Sequence, residues 1–119
     1  MKTRATLILM ALLAMPAFGA DRGEAEVALA QAETALQAAA AADATRDAPV
    51  EMRAADDNLA AARGAFERRK WTDSAMNAEK AKADADLAAA RSREKRASAA
   101  TAEIEASVAT LRRELGRGN

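Results

Sequence analysis

The chain has 119 residues, of which 50% are hydrophobic, with 18 basic and 18 acidic side chains and no histidine, cysteine or tyrosine. These absences exclude disulfides and thiol chemistry and remove the commonest general base and the best metal ligands. The balanced charge gives no electrostatic footprint for nucleic acid. We therefore expect one small domain that is not an enzyme and needs neither a cofactor nor a metal.

The first twenty residues have the order of a secretory signal peptide, which we expect to be removed. Lys2 and Arg4 precede the apolar run 7–15, and small residues then allow cleavage after Gly19 or Ala20. The run is shorter than the roughly 20 residues of a membrane span. The mature chain would carry 16 basic and 18 acidic residues, with no stable membrane span and no cysteine for a lipid anchor.

Alanine makes up about a third of the residues after the signal peptide, far above ordinary usage. It is the best helix former, while β-branched and aromatic residues are scarce. The sequence predicts an all-α domain over residues 21–116, with a flexible tail at 117–119 and Gly116 as the final cap.

The first predicted helix covers residues 22–44. Asp21 is its expected N-cap, and Glu24 would complete a capping box. Its apolar positions alternate in steps of four and three, as in a coiled coil: Ala25, Leu29, Ala32, Leu36 and Ala39.

The second predicted helix covers residues 49–69. A residue that precedes proline disfavours helical backbone, so we expect a break at Ala48 and a start at Pro49, with Asp47 as the cap. The apolar positions are Met52, Ala55, Leu59, Ala62 and Phe66.

The third predicted helix covers residues 73–115, with Thr72 or Asp73 as its cap. A stripe of alternating four and three spacing runs along it, interrupted by Glu94 and Thr101. Its members are Ala83, Leu87, Ala90, Glu94, Ala97, Thr101, Ile104, Val108, Leu111 and Leu115.

Two arrangements of the three helices remain open. In the first, a long antiparallel hairpin has a kinked first arm, and helices one and two together cover helix three. In the second, a three-helix bundle leaves the end of helix three projecting. The second exposes Ile104, Val108, Leu111 and Leu115, which we then expect to contact either a partner protein or a second copy of the chain.

Two further groups are candidates for partner binding. Phe66 and Trp71 flank a basic turn that contains Arg69, so this corner is either a binding hot spot or a pair of rings that closes the hairpin end. The basic run 91–96 contributes Arg91, Arg93 and Arg96, which either meet an acidic partner, lipid or glycan, or are solvated.

The stretch 48–90 resembles the bacterial family called domain of unknown function 4398. The matching positions lie in the second and third helices, whereas Asp56 and Asp57 stand where the family often has Ala-Arg. The matching residues are Ala48, Pro49, Glu51, Leu59, Ala62, Ala78, Glu79, Asp84, Ala85, Leu87 and Ala88. The resemblance implies a protein of the Gram-negative envelope, hence a periplasmic one here, with no known activity. Some members of the family are lipoproteins or carry a peptidoglycan-binding domain.

Together these features predict a helical adaptor of the cell envelope that binds an envelope protein or a second copy. The alternatives are a chaperone-like holder of unfolded envelope proteins and a structural spacer. An enzyme that uses carboxylates alone ranks below these.

Overall fold

The computed structural model describes residues 19–118. These residues form four helices and contain no strand: α1 (Arg22–Ala41), α2 (Ala44–Asp47), α3 (Pro49–Glu67) and α4 (Trp71–Arg117). The prediction of an all-α protein is confirmed. The single-turn helix α2 was not predicted. Most of the expected signal peptide lies outside the described residues.

Helix α1 begins with the capping box that the sequence predicts. The Asp21 Oδ1 atom accepts a hydrogen bond of 2.8 Å from the Glu24 backbone N–H, and Glu24 Oε2 accepts one of 3.0 Å from the Asp21 N–H. The helix ends at Ala41 rather than at residue 44. Asp43 has a φ of 59°, a left-handed conformation that stops an α-helix and that aspartate tolerates better than most residues.

The other predicted caps are wrong, although Pro49 does open α3. Asp47 is the last residue of α2 and makes no capping bond to α3. Helix α4 begins at Trp71, before Thr72 and Asp73, and runs past Gly116 to Arg117. Side-chain caps contribute about 1 kcal/mol, so packing elsewhere in the molecule can override them.

The turn between α3 and α4 is a Schellman motif. The Lys70 N–H donates to the Ala65 carbonyl and the Arg69 N–H donates to the Phe66 carbonyl, each over 2.9 Å. Arg69 occupies the left-handed position with a φ of 58°, where glycine is usual. This turn sends α4 back along α3.

Helix α1, helix α3 and the first half of α4 pack against one another around a core made largely of alanine. We call this part the bundle. The predicted stripes of the first two helices supply most of its buried residues, although Leu29 and Phe66 are only half-buried. The core cluster comprises Ala32, Leu36, Ala39, Ala44, Ala48, Met52, Ala55, Leu59, Ala62, Ala78, Ala81, Ala85, Ala88 and Ala89.

The predicted stripe of the third helix is wrong within the bundle. Ala83, Leu87 and Ala90 are exposed, and a neighbouring face of α4 is buried instead. That face again alternates steps of four and three, and we call it the α4 seam: Ser74, Ala78, Ala81, Ala85, Ala88 and Ser92. Small side chains allow the three helices to approach closely, which a leucine at the same positions would prevent.

Beyond Ser92, helix α4 leaves the bundle. Every residue from Arg93 to Gly118 is exposed, although the helix continues without interruption to Arg117. We call residues 93–118 the C-terminal arm. None of the helices within residues 19–118 has both the length and the apolar character needed to cross a membrane.

Candidate interaction surfaces

The junction between the bundle and the C-terminal arm is held by a group of polar contacts, which we call the polar corner. The Ser92 hydroxyl is fully buried and lies 2.5 Å from the Ala42 carbonyl oxygen and 3.1 Å from Asp47 Oδ2. The Arg96 guanidinium also donates to the Ala42 carbonyl over 2.5 Å. Helix α4 thereby satisfies a carbonyl group that the end of α1 leaves without a helical partner.

The basic run 91–96 supplies the cations of the polar corner. Arg96 pairs with Asp43, and Arg91 pairs with Glu51 at the start of α3. Lys95 Nζ lies 3.5 Å from Asp47 Oδ1. Most of this run therefore binds the chain itself. Arg93, in contrast, is exposed and makes no ion pair with any residue in the described range. Binding of a partner by this run stays a prediction.

Asp47 is the most strongly perturbed titratable group of the polar corner. A hydrogen bond from the Arg46 guanidinium lowers the pKa of the Asp47 carboxyl group to about 2. Burial opposes this shift, while the Ser92 hydroxyl and the charges of Arg46 and Lys95 reinforce it. The carboxylate is thus held in its charged form, which is consistent with a structural role rather than with proton transfer at neutral pH.

The opposite end of the bundle carries the aromatic pair that the sequence singles out. The Phe66 and Trp71 rings meet edge to face with centroids 5.0 Å apart, and the Arg22 guanidinium lies 5.9 Å from the Phe66 centroid. Both rings are half-buried, and Arg69 beside them is exposed. The pair closes the turn between α3 and α4 and still leaves ring surface accessible, so its role as a binding corner stays a prediction.

An open groove lies between α1 and α4, and the residues that line it were not identified from the sequence. It has a volume of about 480 Å³ and a mostly apolar lining, with Lys82 and Asp86 at its edge. The sequence does contain a sign of this groove, because α1 carries a second stripe of residues at helical spacing beside its buried stripe. The residues of α1 that line the groove are Val27, Ala30, Gln31, Thr34, Ala35 and Ala38.

Four of the eight large apolar side chains that are exposed in the described range lie on the C-terminal arm. Ile104 is 64% exposed, Val108 40%, Leu111 58% and Leu115 74%. Their spacing of four, three and four places them along one face of α4. We call these four residues the apolar stripe. No residue of the described range covers them, so this face is the strongest candidate for contact with another molecule.

These observations define the structural class of the protein. The described residues form an all-α protein in which alanine-packed helices hold a long projecting helix. The chain belongs to the family described as Domain of unknown function (DUF4398), whose model matches residues 27–104. The resemblance inferred from the sequence is therefore confirmed. The matched range covers most of the bundle, from Val27 onward, and ends at Ile104, so Val108, Leu111 and Leu115 lie outside it. No curated protein and no solved structure matches the chain.

Proposed function

We propose that this protein is a non-enzymatic interaction protein of the bacterial periplasm, which presents the C-terminal arm as a rigid docking helix. The observation that carries this proposal is the exposure of the apolar stripe on an arm that makes no contribution to the core. Large aliphatic side chains on one face of an otherwise polar helix favour burial against a partner helix.

The separation of the chain into a packed bundle and a projecting arm supports the same proposal. The bundle and the polar corner fix the direction of α4, and the arm then continues as one helix for about 25 residues, or close to 40 Å. A docking surface on a fixed helix loses less conformational entropy on binding than a flexible segment does. Placement in the periplasm is supported by the signal-peptide pattern of residues 1–20.

Site-specific photo-crosslinking in living cells tests this proposal. A photoreactive residue at Val108 lies on the apolar stripe, whereas one at Ala106, about 200° around the helix, lies on the other face. We expect crosslinked products from position 108 and few from position 106 in the periplasmic fraction. Equal products from both positions, or products from neither, would contradict the proposal.

A second candidate function rests on the groove between α1 and α4. We propose it as a holder for apolar segments of unfolded envelope proteins, because its lining is mainly apolar and open. Val27 lines this groove and is 57% exposed, while Val50 lies outside it and is 75% exposed. Val27→Glu should abolish suppression of aggregation of an unfolded outer-membrane protein, and Val50→Glu should not. No suppression by the wild-type protein would exclude this function.

A further inference from the structure

Resting on the proposed docking role of the C-terminal arm, we propose that the partner of the apolar stripe is a second copy of this chain, paired antiparallel. Four aliphatic side chains from each copy would interdigitate along a short two-helix contact. The register of the stripe and the charges that flank it favour this pairing.

The antiparallel register is defined by the stripe itself. The stripe alternates between two core positions of the heptad, and in an antiparallel pair each position of one helix faces the other position of its partner. Placing Val108 opposite Leu111 of the second copy brings Ile104 opposite Leu115. The symmetry of the pair repeats both layers, so all four stripe residues of each copy are buried by aliphatic partners. A shift by one heptad pairs Thr101 with Leu111, which leaves a hydroxyl group against an aliphatic side chain.

The flanking charges favour the same register. Glu105 and Arg112 lie on the same side of the stripe, each one position after a stripe residue, and both are exposed. With Val108 opposite Leu111, Glu105 of one copy lies within about two residues, or close to 3 Å along the axis, of Arg112 of the other. The symmetry gives this pair twice. The register shifted by one heptad instead brings Glu105 of one copy close to Glu105 of the other. The two carboxylates repel each other, which opposes that register.

A parallel pair lacks this complementarity. It would face Glu105 with Ala100 and Arg112 with Ser107, so neither charge finds an opposite partner. Glu94 continues the stripe toward the bundle, and a parallel pair extended to that point would bring two copies of Glu94 together. Like charges in such a position oppose pairing. Glu94 therefore opposes the extension of a parallel pair toward the bundle.

The bundle leaves room for the antiparallel pair. Gly118 of one copy would lie opposite Thr101 of the other, nine residues from Ser92 at the end of the bundle, or about 13 Å along the helix. The two bundles would then project at opposite ends of one rod. Because four layers bury less surface than most stable interfaces, we expect the dimer to dissociate on dilution.

Engineered cysteines test the register directly, since the chain has no cysteine of its own. The variants Ile104→Cys and Leu115→Cys are prepared separately, mixed and oxidised. We expect the mixed disulfide to dominate over either homodimer. Homodimers of Ile104→Cys would show a parallel pair and overturn the proposal. A wild-type chain that stays monomeric by light scattering at near-millimolar concentration would also overturn it.

Charge reversal provides the matched control. Glu105→Arg alone and Arg112→Glu alone should each weaken dimerisation about fivefold to tenfold, because two pairs are lost and like charges replace them. The double variant E105R/R112E restores the opposite charges and should recover dimerisation; no recovery would contradict the register. Crosslinks from position 108 to a different protein, with a monomeric chain, would overturn self-pairing and leave the proposed docking role standing.

Discussion

The two halves of helix α4 invert the usual distribution of apolar side chains. Within the bundle, the buried α4 seam consists of alanine and serine, while in the C-terminal arm isoleucine, valine and leucine are exposed. Both halves are continuous helix, with eight alanines among residues 71–92 and six among residues 93–118. The difference teaches that burial along α4 follows side-chain size, because its closely packed seam admits small residues while the larger side chains of the arm stay exposed.

Enlarging the α4 seam should cause the largest loss of stability. Ala85 is fully buried, so Ala85→Leu forces a larger side chain between close helices and should cost about 3 kcal/mol in the free energy of unfolding. Ala99→Leu makes the same change on an exposed face of the arm and should shift stability by less than about 0.5 kcal/mol. Urea unfolding followed by circular dichroism measures both. Similar losses for the two variants would refute the contrast.

Removing a buried hydroxyl group should have the next largest effect. Ser92→Ala removes the hydrogen bond to the Ala42 carbonyl and should cost about 1–2 kcal/mol. Ser107 makes a hydrogen bond of 3.0 Å to the Glu103 carbonyl on the exposed arm. Ser107→Ala should be close to neutral. Both substitutions change helix propensity equally, so the difference between their unfolding midpoints isolates the polar corner. A difference of zero would show that this corner contributes no stability.

Acidification should weaken the bundle through Asp47. The folded protein holds the pKa of this group at about 2, below its unfolded value of 3.8. The contribution of Asp47 to stability is therefore complete above pH 4 and is lost as the pH falls toward 2. Thermal unfolding between pH 5 and pH 2 should decline less steeply for Asp47→Asn than for the wild-type chain. Asp57→Asn, on an exposed face, is the control. Parallel curves for Asp47→Asn and the wild type would be the contrary result.

Relieving the left-handed backbone at the turn should give the smallest effect, and a stabilising one. Arg69 has a φ of 58°, so Arg69→Gly should raise the free energy of unfolding by up to about 1 kcal/mol. Arg68 beside it has a φ of −84°, and Arg68→Gly should bring no gain. A destabilised Arg69→Gly variant would mean that the arginine side chain itself supports the turn.

The sequence allowed the helix content, the family and the two first stripes to be predicted, because alanine content, Pro49 and the Asp21–Glu24 box are local signals. The buried face of α4 was predicted wrongly from the sequence. Leucine and isoleucine suggested one continuous stripe through Leu87 and Ile104, but hydrophobicity cannot rank faces of a helix whose every face contains alanine. Which face of α4 is buried depends on where α1 and α3 pack against it, and this is known only from the structure.

The polar corner was also beyond sequence reasoning. Asp47 looked like a helix cap, yet its partners include Ser92 and Lys95, which lie 45 and 48 positions away along the chain. Contacts of this range depend on the path of the intervening turn. In contrast, the apolar stripe was identified from spacing alone, because an isolated helix face needs no knowledge of its neighbours.

The alanine core has a thermodynamic consequence. Of its 14 residues, 11 are alanine, whose side chains have no rotamers to lose on folding. Assembly of the bundle therefore orders little side-chain motion, and the small apolar area that it removes from water gives a low heat capacity of unfolding. A low heat capacity flattens the dependence of stability on temperature. The bundle should keep a modest but nearly constant margin of stability in the cold and in the warm, with a broad thermal transition.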